Sequence, residues 1–347
     1  MTRKLVAHIY AANAAVNSGD FMIGIGYKEY FKHKYLEGAE VQFKNYDCRN
    51  ARLYNSDAAI EELNSFDYIL VGGGGLILPD SAPNSISCWQ WLINKNYLQK
   101  LTTPIYVLGL GYNTFFGQTM AMPHRVNNKT EAHRLKTFAD SMRTLANKAT
   151  VFTMRHKADV SKLLNHIGDE YKDKINYEIC ATHWYAKNSW SLASPSSRKF
   201  IAIEVKDDRQ WRRYYKIGMP KAYSGLLGLV KHLRANGQTV CYLSHDGSRS
   251  FYNFLKKNGL SIPLLDNSSA DETKIKANYN QIHTLFCMAG HSQIIGDACG
   301  IKTIGLVTHP KVRNFCDDCG SNNYVMLNDY KDAQSLTTSL INSLNAY

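Results

Sequence analysis

Short apolar runs and longer mixed segments alternate along this chain, and that alternation predicts most of its elements. Residues 4–9, 40–46, 66–71, 105–110 and 151–154 are compact enough to read as strands. Residues 21–31 are apolar at helical spacing, and residues 57–65, 131–147 and 157–165 continue the helical half of the rhythm. Residues 13–20 read as the loop before the first helix. Strand followed by helix, repeated, predicts a parallel sheet with helices on both faces.

A polar stretch at residues 189–198, rich in serine, interrupts the rhythm and reads as a linker. The alternation then restarts. Strands are expected at 200–205, 239–244, 262–265 and 303–307, and helices around 221–236, 250–258 and 274–288. A helix followed by a turn at Gly300 precedes the last of these strands, and residues 332–344 read as a final amphipathic helix. The expected fold is therefore α/β, two Rossmann-like lobes with a central cleft, a GT-B-like layout. Residues 1–192 form one lobe, 198–330 the other, and 331–347 the closing helix.

Composition narrows this reading. With 347 residues, 44% hydrophobic and 20% charged, the chain has the make-up of an ordinary globular protein of two domains. The N-terminus reads as a first strand and not as a signal peptide, and no apolar run is long enough to span a bilayer, so a cytoplasmic protein is expected. The formal charge is +12. Lys and Arg are scattered, without a basic run or an RNA-binding aromatic motif, so nucleic acid is not the expected partner. Small anionic substrates, a polyanionic glycan or peripheral contact with an anionic membrane suit the charge better. The eight cysteines lack framework spacing and are expected to be reduced thiols. Cys316 and Cys319 form a lone C-x-x-C without a second ligand pair, so no metal is expected.

The candidate chemistry lies where predicted strands end, because ligands of open α/β sheets bind outside the carboxyl ends of the strands. Asn17, Gly19 and Asp20 stand between the first strand and first helix. Gly19 would permit close backbone approach and Asp20 would cap the helix; a plain N-cap explains them equally well. Gly73, Gly74 and Gly75 belong to a four-glycine run after a buried strand, suited to a ligand or to a tight turn. Neither a P-loop nor a dinucleotide fingerprint follows. Arg155 directly follows a strand and suits a carboxylate or phosphate. His245 follows another and is placed to meet acceptor hydroxyls, while His183 and Trp184 offer a weaker sugar-stacking pair. His291, at a helix start, is suited to proton transfer near neutral pH, and Lys311, after the next strand, is suited to an anion.

In order and spacing these segments resemble the polysaccharide pyruvyltransferase family. Asn17-x-Gly-Asp20 matches its N-x-G-D element. Tyr68 to Leu76 (YILVGGGGL) is similar to its glycine-rich signature, and Pro104 to Gly111 (PIYVLGLG) to its next strand and glycine loop. Thr153 to Ser161 (TMRHKADVS) is similar to its S-x-R-D-x-x-S element, with Arg155 on the functional Arg. His291 and Lys311 fall on the family's His and Lys, with Gly300 and Pro310 in register. The resemblance covers nearly the whole chain.

It implies an enzyme of polysaccharide biosynthesis that transfers the pyruvyl group of phosphoenolpyruvate to two hydroxyls of one sugar. The products are a cyclic ketal and phosphate. Phosphoenolpyruvate is then a donor substrate and no cofactor is needed. The acceptor is a sugar, lipid-linked or polymeric, on the N-terminal side, with the donor on the C-terminal side. His291 would protonate the donor, and Arg155 and Lys311 would hold its two anionic groups. Two departures bear on the donor: the family's Arg two places before the His is Ala289 here, and the Asp after its conserved Arg is His156. The rival readings are a GT-B glycosyltransferase using a nucleotide sugar and a glycan-binding protein without turnover.

Overall fold

The computed structural model describes residues 3–12, 17–79, 84–118, 120 and 131–345. The chain forms two compact units. The first comprises Met1–Asn13 and Ile23–Tyr185, the second Ala14–Met22 and Ala186–Tyr347.

The first unit holds strands β1 (Arg3–Tyr10), β2 (Glu40–Asp47), β3 (Tyr68–Ile77), β4 (Ile105–Tyr112), β5 (Ala149–Met154) and β6 (Ile175–Tyr177). They pair in the order β2-β1-β3-β4-β5-β6, each pair parallel. The central strands β3 and β4 are buried almost throughout, as a sheet covered on both faces requires. The flanking helices carry apolar stripes and conventional caps. In Asp57–Asn64, the Ser56 side chain accepts from the Ala59 amide, and Ile60 and Leu63 turn inward. The long helix Glu131–Lys148 buries Phe138, Met142 and Leu145.

The second unit holds β7 (Phe200–Glu204), β8 (Val240–Ser244), β9 (Leu264–Asp266), β10 (Ile282–Cys287), β11 (Lys302–Val307) and β12 (Tyr324–Met326). Its order is β12-β11-β10-β7-β8-β9, again all parallel. After β9 the chain returns to the far side of β7. The carboxyl ends of β7 and β10 therefore flank the switch point of this sheet, and β1 and β3 flank that of the first. The closing helix is Ala333–Asn345; Leu336 and Thr337 lie against Gly225 and Gly228 of the helix Met219–Ala235. Two Rossmann-like α/β units, the GT-B-like make-up expected from the sequence, are thus present. Seven of the eight cysteines are buried and Cys319 is exposed. Among the described residues no helix is long and apolar enough to cross a membrane.

Three expectations are corrected. The helix expected at 274–288 is the helix Glu272–Tyr279 followed by β10, a strand buried at every position except the half-buried His283. A strand buried on both faces lacks the alternation that would have separated it from the preceding helix. The four glycines do not form a loop after β3 but lie within it, at the point where its pairing with β4 shifts register. The first helix, Ser18–Tyr35, starts earlier than expected, so Asp20 lies in its first turn and not at its cap. The short strands β6 and β12 had no signal in the apolar pattern.

Gly72 explains why the run must contain glycine. Its φ is +120°, and a Cβ there would lie 2.3 Å from the Leu108 carbonyl oxygen of the paired strand. Neither strain can be relieved without moving backbone. Gly72→Ala is expected to destabilise the protein by more than about 2 kcal/mol in urea denaturation. Gly237→Ala, with φ +73° but nothing within 4 Å of the added carbon, is expected to cost about 1 kcal/mol.

Candidate functional site

The carboxyl ends of the second sheet bring several polar side chains to one edge. β7 ends in Glu204 and leads to Lys206; β8 leads to His245 and Asp246. β10 leads to the helix Gly290–Ala298, whose second residue is His291, and β11 leads to Pro310–Asp318, whose second residue is Lys311.

Glu204 holds this edge together. Its Oε2 accepts hydrogen bonds from the amides of Met288 at 2.9 Å and Ala289 at 2.7 Å. Ala289 is the cap residue of the His291 helix and has no side chain to serve it, so a carboxylate from the neighbouring strand does so. Oε1 is buried and makes no hydrogen bond among the described residues. Burial raises the Glu204 carboxyl to about 7, against the pull of Lys206 and of the two amides.

Lys206, almost buried, forms an ion pair with Asp246 and lies 3.9 Å from Asp208. Burial opposes ionisation of Asp246, yet the Lys206 ammonium holds it well below the usual carboxylate range. Asp208 is likewise lowered against its burial, by Arg213, Lys206 and Lys311. Arg213 donates to Asp208 at 2.8 Å and to Thr308 at 3.2 Å, tying the loop after β7 to the loop after β11.

His245 is 3% exposed, and burial, with Lys206 and Lys311 adding, pushes its pKa down to about 3, so the ring is neutral. Its Nδ1 is 3.0 Å from the Ser18 hydroxyl and 3.2 Å from that of Ser292. Ser18 donates its one proton to the His245 carbonyl oxygen at 2.9 Å. His245 is thus a buried neighbour of the site, joined to it through Ser18 and Ser292.

His291 is half-buried, its ring centroid 5.9 Å from that of His245. The backbone of Gly19 lies directly against both rings. A Cβ on Gly19 would come within 2.0 Å of His291 Nδ1 and 2.8 Å of His245 Nε2. Asn17 fixes this approach: its Oδ1 accepts from the Gly19 amide at 3.0 Å, and its Nδ2 donates to Asp20 at 3.0 Å. Asn17 is thus the side chain that caps the helix. The stem of Lys311 lies over Gly290, where an added Cβ would be 3.3 Å from Lys311 Cδ. His309 accepts from the Lys311 amide and caps that helix. Asn17, Gly19, Asp20, His245, His291 and Lys311 all fall in the second unit.

Arg155 and the glycine run fall in the first unit. Arg155 is 4% exposed, its amide donates to the Leu110 carbonyl at 3.1 Å, and its guanidinium lies against Gly111. Its Nε makes no hydrogen bond among the described residues. Nearby Asp159 is raised by burial, with His156 and Arg155 opposing. Of the glycines, Gly73 lies under the Tyr27 ring, Gly74 beside Ile23 and Gly75 against Asn113, so the close approach they permit is to the protein's own side chains. Trp184 packs on Tyr30 and stacks with His33 at 4.9 Å, while Cys316 contacts Gln293.

Glu204, Lys206, Ser18 and Ser292 were not singled out from the sequence. The available signal was the charged pair Glu204 and Lys206 at the end of an apolar strand that needed no charge.

No protein-family profile and no curated protein matches the sequence. Solved structures do share its fold. S. aureus MnaA, solved with UDP, aligns with 99% of this chain and 88% of its own, at 11% identity and TM-score 0.56. A putative UDP-N-acetylglucosamine 2-epimerase from Listeria monocytogenes covers the same shares at 10% identity and TM-score 0.55. An alpha-glucosyltransferase in complex with UDP and a 13-mer DNA aligns over 99% of this chain and 90% of its own, at 8% identity and TM-score 0.51. Identities this low establish a shared fold.

Two outcomes follow from the geometry. Gly19→Ala is expected to keep the helical circular-dichroism spectrum while displacing the His245 and His291 imidazole resonances in NMR; unchanged resonances would contradict the contact. For Glu204, the raised carboxyl means that the folded state binds its proton more tightly than the unfolded state between pH 4.5 and about 7. Its contribution to stability is present below pH 4.5 and falls as pH rises through that window. His245, lowered by burial, slopes the other way as pH drops below 6.5, so the effect must be read as a difference between variants. Relative to the parent, Glu204→Gln is expected to gain on the order of 2–4 kcal/mol between pH 4.5 and 8. Denaturant titrations at both pH values check this.

Proposed function

We propose that this protein is a sugar-modifying enzyme with a phosphate-bearing donor and, more narrowly, a pyruvyltransferase. It would move the pyruvyl group of phosphoenolpyruvate to two hydroxyls of a sugar acceptor, lipid-linked or polymeric. The observation that carries the reading is the pair His291 and Lys311. They begin the helices after the adjacent strands β10 and β11, with Gly19 drawn in against the His291 ring. The motifs whose order and spacing resemble those of the pyruvyltransferase family point to the same two residues.

In the proposed reaction His291 delivers a proton to the methylene carbon of the donor, leaving positive charge at the carbon that bears the phosphate. One acceptor hydroxyl adds there and its proton is released, replacing the one delivered. Phosphate then departs with its electron pair, and the second hydroxyl closes the ketal as its proton is lost. The donor is anionic throughout. Lys311 is the cation beside His291, and the amide ends of two helices add favourable dipoles. Neutral His245, pinned by Ser18 and Ser292, keeps a second positive charge away from the donating imidazole. Arg155 is the proposed anion-holding residue of the first unit, its Nε still able to donate.

The second reading, transfer from a nucleotide sugar, is favoured by the UDP present in two of the similar structures. Donor trials separate the two. Phosphate release from phosphoenolpyruvate, with galactosides, mannosides or lipid-linked sugars as acceptors, is expected. Turnover of a UDP-sugar and none of phosphoenolpyruvate would decide for the rival.

Given turnover, His291→Gln should lower kcat by roughly 10²–10⁴-fold in a folded protein. Lys311→Met should weaken donor use by about 1.5–3 kcal/mol, read from kcat/KM. Near-normal turnover in His291→Gln would remove His291 from the mechanism.

A further inference from the structure

The segment from Arg209 to Gly218 has two faces of opposite character. Arg213, Tyr214 and Ile217 are buried. The Tyr214 hydroxyl donates to the Lys206 carbonyl at 3.1 Å. Asn328 accepts from the Lys216 amide at 3.2 Å and the Ile217 amide at 3.4 Å, and donates to the Arg213 carbonyl at 2.8 Å. The segment is therefore held firmly. Its outer face nevertheless presents Trp211, 55% exposed, and Tyr215, 53% exposed. Among the described residues the only other exposed large hydrophobic side chain is Leu5, at 37%.

Trp211 belongs to the short helix Gln210–Arg213 and Tyr215 to the turn that follows it, and both rings are exposed. Each carries a cation beside it. The Arg212 guanidinium lies 4.3 Å from the Trp211 ring centroid, and the Lys216 ammonium lies 5.7 Å from that of Tyr215.

From this arrangement we infer that Trp211, Arg212, Tyr215 and Lys216 form a docking surface for an anionic lipid membrane. Amphipathic rings settle at the level of the headgroups, and adjacent cations meet lipid phosphates. The chain's charge of +12 favours approach to such a surface as a whole. A single-stranded nucleic acid would want the ring faces bare for stacking, and here a cation of the protein itself lies over one face of each. The inner face of the same segment joins, through Arg213 and Tyr214, the loop that carries Lys206. A protein docked this way would hold the edge bearing His291 and Lys311 near the membrane. The inference does not depend on which donor the enzyme uses.

The test is co-sedimentation of the full chain with vesicles of phosphatidylcholine alone or mixed with phosphatidylglycerol. Binding is expected on the mixed vesicles only, and is expected to weaken as salt rises. Arg212→Gln with Lys216→Gln should reduce partitioning about 30-fold, at roughly fivefold per cation. Trp211→Ser with Tyr215→Ser should reduce it by at least about tenfold. If that pair fails to fold, brominated lipids supply a second readout: their quenching of tryptophan fluorescence should largely vanish in Trp211→Phe. No binding to mixed vesicles at low salt would overturn the proposal, as would unchanged binding by folded variants. Binding of single-stranded DNA through these residues, without vesicle binding, would reassign the surface to nucleic acid.

Discussion

One carboxylate decides how the second sheet ends. Glu204 takes the two amides that close β10 and open the His291 helix, and it does so from the neighbouring strand across the switch point. The bond replaces the local cap that Ala289 cannot supply. Helix direction, the position of His291 and the packing of Lys311 over Gly290 all follow from where that helix begins. Burying a carboxylate is unfavourable, and its raised pKa records the cost. A backbone amide pair and the nearby Lys206 are what make an ionised form tolerable at all.

The same edge shows how charge is distributed when several cations share a confined space. Lys206 is neutralised by Asp246, and Arg213 by Asp208, so the local acids are spent on cations that are almost buried. His245 stays neutral chiefly because it is buried, and the charges of Lys206 and Lys311 add to that effect. Lys311 is half-buried and among these cations has the greater reach toward solvent. An anionic ligand at this edge would thus meet a potential built from many residues but delivered through few.

Much of this was legible in the sequence, for physical reasons that differ by residue. His291 and Lys311 were readable because each follows a short apolar strand at a helix start, and parallel sheets put all such positions on one edge. The place of Arg155 directly after β5 was readable by the same logic. β10 was not, because a strand buried on both faces carries no alternation, and no glycine or proline separates it from the helix before it. The glycine run was legible as a special backbone but not as a part of β3, since its purpose depends on Leu108, Tyr27 and Ile23, which are distant in sequence. Gly19 was readable as a point of close approach, but the partner, a histidine 272 residues further on, was not. For Glu204 the charge at the end of an apolar strand was a signal, but its partners are backbone amides, which leave no trace in side-chain pattern.

The distribution of thiols has a practical consequence. Seven cysteines are shielded, and Cys319 alone is exposed, one residue beyond the helix whose first turn carries Lys311. A helix of that length spans roughly 13 Å. A maleimide dye or spin label applied to the native protein would accordingly mark one defined position without any prior cysteine replacement. That position is close enough to the Lys311 end to register occupancy of the edge by distance, and far enough not to occupy it.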